Sequence, residues 1–359
     1  MKNPPEFSVF HTLSLFVLGL GVLFCFSACE SDQTEIPFKT FQGPTMGTNY
    51  RIVYQSDMDA QTLKKSVDSL LIELNEELST YIEESTISAF NQSGRGIELR
   101  DGEADYFMDN LRISGELYRL TNGLFDPTVM PLVNYWGFGF AGREAPTAID
   151  SMAIDSLLNF VSWEKIQLDT EGEDFFIGKK EPAVMLDFSA VAKGYAVDVL
   201  CDFFNSLGLD NYLIDIGGEL CAEGPGRLEE GWVIGVSSPD PTSEGSQLTE
   251  RFILKKGGVA TSGNYRNFRE VEGVIIGHTL NPRTGFPEMN NLLSVTIWHS
   301  EAAFADALAT ATMVAGYPNA YTMVVELSEV EGYFIFVNEE GEVEHSWTEG
   351  FEAFFLKND

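Results

Sequence analysis

Two segments of the sequence combine residue types that suit a metal-bound phosphate. In EAAFADALATATMVAG (301–316), Asp306 and Thr310 are four residues apart in a small-residue helical pattern. Side chains at that spacing share one helix face, and a carboxylate beside a hydroxyl offers the hard oxygens that Mg²⁺ takes. In LDFSAVAKGYAVD (186–198), Lys193 falls in the first turn of a predicted helix, where an ammonium and backbone N–H groups suit a phosphate. Each segment alone also fits an ordinary Ala-rich helix or a solvated lysine, but together they indicate nucleotide chemistry.

Four loops shaped by glycine or proline carry further candidate residues. Asp215 ends a predicted strand just before two glycines that let the backbone approach a ligand. His278 lies in a polar loop, together with Arg283 as a partner for a phosphate or a turn carbonyl. The four loops are MGTNY (46–50), LFDPTVMPLVNYWGFG (124–139), IDIGGEL (214–220) and HTLNPRTGFP (278–287).

The N-terminus predicts export. Lys2 precedes an apolar run over residues 7–28, and Ser27 and Ala28 lead directly into Cys29, which resembles a bacterial lipobox. We expect a signal peptide over 1–28, a lipid-anchored linker over 29–44 that begins at the acylated Cys29, and a folded part over 45–359. The localisation expected is therefore the cell membrane, with the folded part on its periplasmic or extracytoplasmic side. An uncleaved membrane anchor is the alternative, since the run is nearly long enough to span.

Charge and cysteine content exclude some functions. The formal net charge is −33, from 22 Lys and Arg against 55 Asp and Glu, so no basic face for nucleic acid could be assembled. Any anionic ligand therefore needs a local positive site or a metal. Cys201 and Cys221 remain in the exported part, and we expect two buried thiols rather than a disulfide, although an oxidising compartment permits one. No CxxC spacing supports a zinc site.

Hydrophobic periodicity predicts an α+β fold with a largely antiparallel sheet and packed helices. Helices are expected over 59–81, 103–120, 147–160, 189–207 and 301–316. A hairpin is expected with its turn at Glu171-Gly172. The remaining strands, expected to form one continuing sheet, are TNYRIVYQ, NYLIDIGGEL, WVIGVSS, RFILKKGGVATSG, GVIIGHTL, LLSVTIW, YFIFVNE and FEAFFL. Neither a GxGxxG fingerprint nor a Walker loop is present, so neither familiar nucleotide-binding fold is supported.

An ordered series of motifs resembles the ApbE-type FAD:protein FMN transferases. The series spans residues 45–316, and its joint order is more specific than any single motif. Its members are MGT, LSTY with SAFN, FDPTVMPLVNYWGFG, LDFSAVAKGYAVD, NYLIDIGGEL, ATSGNYRNF, HTLNPRTG and ADALATATMVAG.

The resemblance implies a fold related to the tunnelling fold and an enzyme that uses FAD and Mg²⁺. The implied reaction moves FMN from FAD onto a threonine or serine hydroxyl of a partner and releases AMP. The implied partners are flavoprotein subunits of membrane redox complexes. By motif, the residues implied to contact FAD are Met46, Tyr81, Leu124, Phe125, Asp126, Asp187, Lys193 and Leu280. The Mg²⁺ ligands implied are the Ala190 carbonyl, Asp306 and Thr310, with Ala309 where some relatives carry a second acid.

The residues also suggest how the chemistry would run. An imidazole can take the proton from the acceptor hydroxyl, so His278 is the candidate base, with Asp215 or Asp306 as the acid that orients it. Asp306 thereby has both a metal-binding and a catalytic role. Aromatic residues that could flank the flavin and adenine rings are Tyr81, Phe125, Tyr135 and Trp136, although aromatics more often build a core.

Two other functions remain open at this stage. The same pocket would serve an FAD-binding lipoprotein, or one that hydrolyses FAD to FMN and AMP without a protein acceptor. A surface adhesion or solute-binding lipoprotein is a third interpretation, but it leaves the motif series unexplained.

Overall fold

The computed structural model describes residues 36–140, 146–171, 174–239, 248–263 and 268–356. The strands along these ranges are β1 (Phe38–Thr45), β2 (Thr48–Gln55), β3 (Gly96–Arg100), β4 (Ile166–Glu171), β5 (Asp174–Lys179), β6 (Tyr212–Ile216), β7 (Glu219–Glu223), β8 (Trp232–Ser237), β9 (Leu248–Leu254), β10 (Lys256–Gly263), β11 (Phe268–Val271), β12 (Val274–Gly277), β13 (Leu292–His299), β14 (Glu331–Val337) and β15 (Val343–Trp347). The α-helices are α1 (Ala60–Leu78), α2 (Thr86–Gln92), α3 (Asp105–Leu120), α4 (Met130–Tyr135), α5 (Ser151–Leu158), α6 (Ala192–Ser206), α7 (Ala302–Ala315) and α8 (Asn319–Glu326).

The central sheet has eight strands in the order β1-β2-β6-β7-β10-β13-β14-β15. Every neighbouring pair in it is antiparallel. The interior strand β13 is apolar through most of its length because both of its faces are covered. The edge strand β15 is polar and exposed. The predicted α+β class with a largely antiparallel sheet is confirmed.

Each face of the sheet has its own hydrophobic core. Helices cover one face, where Tyr50, Ile214 and Val295 are fully buried in the larger core. The β8–β9 hairpin covers the other face, where Trp232 and Phe252 pack in a second core. Alternate residues of one strand point to opposite faces, so a single strand such as β2 contributes to both cores.

Helix α1 shows why the amphipathic segments fold as predicted. Asp59 caps the helix by accepting a hydrogen bond of 2.9 Å from the Thr62 N–H. The buried stripe has helical spacing and faces the core, and its members are Leu63, Val67, Leu71, Leu74 and Leu78.

Helix α7 is buried on almost every side because its side chains are small. It approaches α6 so closely that a Cβ added to Gly194 would lie 2.3 Å from the Ala302 carbonyl oxygen. The carboxylate of Asp198, on α6, caps α7 by accepting hydrogen bonds from the N–H groups of Ala302 at 2.7 Å and Ala303 at 2.8 Å. This contact fixes where the first turn of α7 lies relative to α6.

A third, smaller core lies under α4, α5 and the β11–β12 hairpin. Its fully buried members include Leu132, Trp136 and Ile154. The strands β3, β5 and β4 form a separate three-stranded sheet. Within the ranges that the structure describes, no helix combines the length and apolar character needed to cross a membrane.

The expected linker over 29–44 is too long. Phe38–Thr45 forms β1 and pairs with β2 along its whole length. This segment is ordered because Phe41 packs in the core, where its ring lies edge-on to Tyr50 and Tyr54 at centroid distances of 6.2 and 5.8 Å. The expected signal peptide and Cys29 lie outside the described residues.

The expected continuous sheet is wrong in four respects. β8 pairs with β9 in a separate hairpin, and β11 pairs with β12 in another. The single strand expected over RFILKKGGVATSG is two strands, β9 and β10, that meet at Lys255. The FEAFFL segment is largely a 3₁₀ helix, Glu349–Phe354, because its phenylalanines pack on Phe252 while β15 takes the place beside β14.

The expectation of two free thiols is also wrong. Cys201 and Cys221 form a disulfide that joins α6 to β7. No motif in the sequence links the two cysteines, which are 20 residues apart. The packing of α6 against β6 and β7 brings their Cα atoms to 6.7 Å. That separation is within the range that a disulfide bridges.

Candidate active site

A cavity of about 1130 Å³ opens where α6 and α7 begin and where the β6–β7 turn ends the central sheet. The residues of the folded part named above as FAD contacts by motif, as metal ligands or as the candidate base all line this one cavity. These residues are Met46, Tyr81, Leu124, Phe125, Asp126, Asp187, Ala190, Lys193, His278, Leu280, Asp306 and Thr310. They come from segments spread over most of the folded chain, so their convergence is a property of the fold that no single segment dictates.

The charged centre of the cavity is a lysine between two buried carboxylates. Lys193 is the second residue of α6, and its Nζ forms a close ion pair with the Glu219 carboxylate at the start of β7. The same Nζ lies 4.0 Å from Oδ2 of Asp306 on α7. The Lys193 side chain keeps 28% of its surface exposed, whereas those of Glu219 and Asp306 keep only 7% and 5%. The ammonium is therefore the member of the cluster that is best exposed to a ligand.

Burial and charge act in opposite directions on this cluster. Burial raises the pKa of Glu219 to about 7 and also raises the pKa of Asp306, although the Lys193 ammonium offsets part of both effects. Burial alone would lower the pKa of Lys193, but the Asp306 and Glu219 carboxylates outweigh it and raise that pKa. Lys193 is consequently a permanent cation at neutral pH, as a phosphate ligand must be.

The oxygens beside Lys193 fit a hard metal ion. Among the described residues, the contacts to the Asp306 carboxylate come from the Gly194 N–H at 3.1 Å and from Lys193, and both reach Oδ2. Oδ1 is thus left for another ligand. Thr310 lies one helical turn further along α7, and both it and Ala190 line the same cavity. One carboxylate oxygen, one hydroxyl and one carbonyl suit Mg²⁺, with substrate oxygens and waters completing its shell.

This donor set differs from an all-protein metal cage. No group of three or more His, Cys, Asp or Glu side chains within the described ranges is arranged to hold a metal. A site built from Asp306, Thr310 and a carbonyl therefore has to draw further oxygens from the ligand. That requirement is ordinary for Mg²⁺ that binds together with phosphates.

The backbone of α6 contributes less to an anion site than its sequence suggests. The Ala192 N–H already donates to the Phe188 carbonyl at 2.7 Å, and the Gly194 N–H donates to Asp306. Two of the first three N–H groups of the helix therefore have partners within the protein. The expected cradle of N–H groups is wrong for these two, and the Lys193 side chain is the main positive group at this end.

Asp126 and Asp187 shape one wall of the cavity through hydrogen bonds to neighbouring backbone. Oδ1 of Asp126 accepts from the Thr128 N–H at 2.9 Å and from its hydroxyl at 2.6 Å, and Oδ2 accepts from the Trp163 N–H at 3.2 Å. Oδ1 of Asp187 accepts from the Ser189 N–H at 2.8 Å. Burial raises the pKa of both acids, and these hydrogen bonds offset part of the rise. Both acids thus hold the loops that carry them in addition to facing the cavity.

The β6–β7 turn brings backbone to the cavity floor. Gly217 and Gly218 have φ values of 66° and 109°, which favour glycine at both positions. The Gly218 N–H donates to Oδ1 of Asp215 at 2.9 Å. Asp215 therefore stabilises the turn, and its expected role as the acid that orients His278 stays a prediction.

His278 and Tyr81 lie at the exposed side of the cavity, whereas Phe125 belongs to its buried lining. His278 is exposed and lines the cavity, with its ring edge-on to Phe138 at a centroid distance of 6.4 Å. Tyr81 is 63% exposed and Phe125 is buried, and both contribute to the lining. This side of the cavity is where a large partner could reach the charged centre.

Three residues of the predicted loops have structural roles instead. Trp136 is fully buried and donates its indole N–H to the Gly285 carbonyl at 2.8 Å, so the expectation that it flanks a ligand ring is wrong. Arg283 donates to the Asn122 carbonyl, which is the turn-carbonyl partner that its loop allowed. The Tyr135 hydroxyl accepts from the Asp150 N–H at 2.9 Å.

Sequence reasoning missed three residues around the cavity. Glu219 was inconspicuous beside Asp215, although an acid that opens an otherwise apolar strand after two glycines is a usable signal. Asp198 gave no signal, because the N–H groups that it caps are more than 100 residues away. Arg269 lines the cavity and donates to the Gly137 carbonyl at 2.9 Å, and no motif pointed to it.

Comparison of the sequence with models of known protein families identifies the family of this chain. A model of the ApbE family matches residues 46–334 of the chain. The chain belongs to the ApbE family. The FAD:protein FMN transferase of Vibrio cholerae is 33% identical over 351 residues, which cover 95% of this chain and 99% of that relative. The FAD:protein FMN transferase of Haemophilus influenzae is 31% identical over 343 residues, which cover 92% of this chain and 94% of that relative.

Solved structures agree with this ApbE membership. The flavin transferase ApbE from Vibrio cholerae superimposes with a TM-score of 0.78 at 31% identity, over 89% of this chain and 99% of that chain. The flavinyl transferase ApbE from Pseudomonas stutzeri superimposes with a TM-score of 0.77 at 30% identity, over 89% of this chain and 97% of that chain. The family and fold that the motif series predicted are confirmed, and the individual ligand contacts of the lining residues stay predictions.

Proposed function

We propose that this protein transfers the FMN part of FAD to a serine or threonine hydroxyl of an acceptor protein and releases AMP. The observation that carries the proposal is the convergence of the implied FAD contacts, the implied metal ligands and His278 on one cavity, with Lys193 at its charged centre. FAD as substrate and a protein as acceptor agree with the names of the curated ApbE relatives. The acceptor oxygen forms a bond to the FMN phosphorus, the bond from that phosphorus to the AMP oxygen breaks, and AMP leaves with the electron pair.

We also propose that Mg²⁺ is held by Asp306 through Oδ1, by Thr310 and by the Ala190 carbonyl. When bound, the ion would neutralise pyrophosphate charge and charge that develops on the departing AMP. The metal proposal is supported by the free Oδ1 of Asp306 and by the shared helix face of Asp306 and Thr310. In a protein of net charge −33, Lys193 alone is a weak counter-charge for a pyrophosphate.

The chain's own residues divide the remaining work. Lys193 binds the pyrophosphate with a charge-assisted hydrogen bond and orients it. His278, at the exposed side of the cavity, takes the proton of the acceptor hydroxyl as the oxygen attacks. The buried walls, including Phe125 and Leu280, exclude water from the side opposite the acceptor. Water reaching the phosphorus in place of the hydroxyl would give hydrolysis.

The test of the metal proposal compares a threonine that lines the cavity with an exposed threonine outside it. Thr310→Val removes a hydroxyl at the proposed metal site with little change in shape, and Thr322→Val does the same at an exposed position of α8. We expect the Mg²⁺ concentration for half-maximal FMN transfer to rise by about 10-fold or more in Thr310→Val only, as for one lost ligand in a sparse site. Identical Mg²⁺ dependence in both variants would remove Thr310 from the metal site.

Transfer itself is measured by incubating the purified soluble part with FAD, Mg²⁺ and a candidate acceptor. The acceptor should gain the mass of FMN and fluoresce in a denaturing gel. FMN and AMP released without labelling of any acceptor would instead identify an FAD hydrolase. In single turnovers at saturating FAD, His278→Ala should slow transfer by about 10²-fold to 10⁴-fold, and an unchanged rate would remove His278 from the mechanism.

We propose that the enzyme acts outside the cytoplasm, attached to a membrane through an acylated Cys29. The apolar run over 7–28 and the small residues before Cys29 support this placement. Such an anchor would bring the cavity close to membrane redox complexes, whose flavoprotein subunits are the acceptors we propose. Cys29→Ser should abolish lipid labelling, and a mature N-terminus found elsewhere by mass spectrometry would refute the anchor but not the transferase activity.

A further inference from the structure

We propose that Glu219 is a positioning residue, which holds the Lys193 ammonium and so keeps Asp306 available for a metal ion. The proposal rests on the metal site described under the proposed function. It adds a residue that is neither among the expected FAD contacts nor among the expected metal ligands.

Glu219 is placed for this role by the fold. It is the first residue of β7, directly after the Gly217-Gly218 turn, and 5% of its surface is exposed. One carboxylate oxygen, Oε1, pairs with Lys193 Nζ, and no other described residue donates a hydrogen bond to that side chain. The other oxygen, Oε2, is buried without a hydrogen-bond partner among the described residues. Burying a carboxylate costs free energy, and the ion pair with Lys193 offsets part of that cost.

Lys193 has two possible carboxylate partners and pairs closely with one of them. Its ammonium is in contact with Glu219 but 4.0 Å from Oδ2 of Asp306. A single positive charge attracted by two buried carboxylates moves toward whichever carboxylate remains when the other is removed. Without the Glu219 charge, Lys193 would close on Asp306 and compete with a metal ion for its oxygens.

Oε2 of Glu219 has no hydrogen-bond partner among the described residues, so Lys193 is the described contact through which the charge of this carboxylate acts. Asp306 meanwhile remains fixed by the Gly194 N–H at 3.1 Å.

The test measures Mg²⁺ binding by calorimetry at saturating FAD and without an acceptor protein, because the site draws part of its oxygens from the ligand. Glu219→Gln keeps the shape of the side chain and removes its charge. We expect it to weaken Mg²⁺ binding by about 10-fold to 100-fold, the scale of one charge-assisted interaction. Glu219→Asp, which keeps the charge, should recover part of the affinity. Glu223→Gln is the matched control, because Glu223 ends the same strand and pairs with Lys256 at 3.1 Å, so its loss changes the net charge equally.

A double-mutant cycle separates positioning from direct ligation. If Glu219 acts through Lys193, Glu219→Gln should cost little affinity once Lys193 is replaced by methionine. An equal loss of Mg²⁺ affinity in the native and the Lys193→Met backgrounds would make Glu219 a metal ligand and overturn the proposal. Unchanged affinity in Glu219→Gln, or a loss equal to that in Glu223→Gln, would also overturn it.

Failure of the proposed function would look different. A wild-type protein that binds no Mg²⁺ at saturating FAD would overturn the metal site and this inference together. A wild-type protein that binds Mg²⁺ and transfers FMN, but whose Glu219 variants match the control, would overturn this inference alone. Thermal unfolding of each variant in the same buffer shows that any loss of binding comes from a folded protein.

Discussion

Replacing Gly194 with alanine should push α7 away from α6 and disturb the proposed metal site. An added Cβ would lie 2.3 Å from the Ala302 carbonyl oxygen, 2.7 Å from its carbonyl carbon and 2.8 Å from the Ala303 Cα. All three atoms are backbone, so no side chain can turn away to make room. To reach an ordinary contact of 3.4 Å, the first turn of α7 would have to move by about 1 Å.

Two effects of opposite sign set the size of the stability change. Alanine favours a helix over glycine by about 1 kcal/mol, whereas an extra carbon in a close-packed interior costs about 1–3 kcal/mol. The contacts made by Gly194 are tight and rigid, so we expect a net loss of about 1–2 kcal/mol in the free energy of unfolding. Asp306 follows one turn after Ala302 and accepts a hydrogen bond from the Gly194 N–H, so the same shift misplaces it. Misplacement by about 1 Å can cost about 10²-fold in rate.

The assay pairs urea unfolding with the Mg²⁺ dependence of FMN transfer. Gly94→Ala is the matched control, because a Cβ there meets nothing within 4 Å and the φ of Gly94 is not in the left-handed region. We expect Gly194→Ala to need more Mg²⁺ and to unfold at lower urea, and Gly94→Ala to do neither. Wild-type stability and wild-type Mg²⁺ dependence in Gly194→Ala would refute the reasoning that close packing of α6 on α7 positions the site.

Three further outcomes follow from buried groups. Asp198→Ala should cost about 1–2 kcal/mol of stability, as for other lost helix caps, when measured by urea unfolding. Burial lowers the pKa of Lys179 from 10.5 to about 8, so the folded protein binds a proton less readily than the unfolded chain. The free energy of unfolding of the wild type, measured relative to that of Lys179→Met, should therefore increase as pH rises from about 8 to about 10.5. A difference between the two proteins that stays constant with pH would contradict the lowered pKa. Reducing the Cys201–Cys221 disulfide should cost about 3 kcal/mol, and equal unfolding with and without reductant would contradict it.

Local patterns predicted the helices because the information lies within each segment. The stripe from Leu63 to Leu78 and the cap at Asp59 are enough to specify α1. The run of small residues around Asp306 likewise predicted α7 as a helix with Asp306 and Thr310 on one face. Neither prediction needed knowledge of a distant partner.

Strand partners could not be predicted in the same way. Alternation marks a strand but does not say which strand lies beside it. β8 and β10 were both expected in one continuing sheet, yet β8 joins a separate hairpin and β10 the central sheet. The FEAFFL segment has strand-forming residues, but its phenylalanines are used in an aromatic cluster with Phe252 and Trp347. Tertiary packing decided both cases against the local preference.

In the candidate site, too, some residues could be predicted from the sequence and others could not. Cavity-lining residues such as Lys193 and Asp306 lie in motifs that the sequence shows, and the fold brings them together. The residues that hold them in place could not be predicted from the sequence. Glu219 acts through its ion pair with Lys193, and Asp198 acts through its hydrogen bonds to the N–H groups of Ala302 and Ala303. Supporting contacts depend on pairs of distant segments, and one sequence does not show which pairs form.

Helix α6 connects all of these supporting contacts, which argues that it determines the geometry of the site. Lys193 pairs with Glu219, Gly194 sets the approach of α7 and donates to Asp306, and Asp198 caps α7. Further along the same helix, Cys201 is bonded to Cys221, two residues after Glu219 on β7. A covalent bond thus ties α6 to the strand that carries Glu219, whereas hydrogen bonds and close packing hold α6 against the helix that carries Asp306. Reduction of the disulfide should therefore loosen the Lys193–Glu219 pair before it affects the position of Asp306.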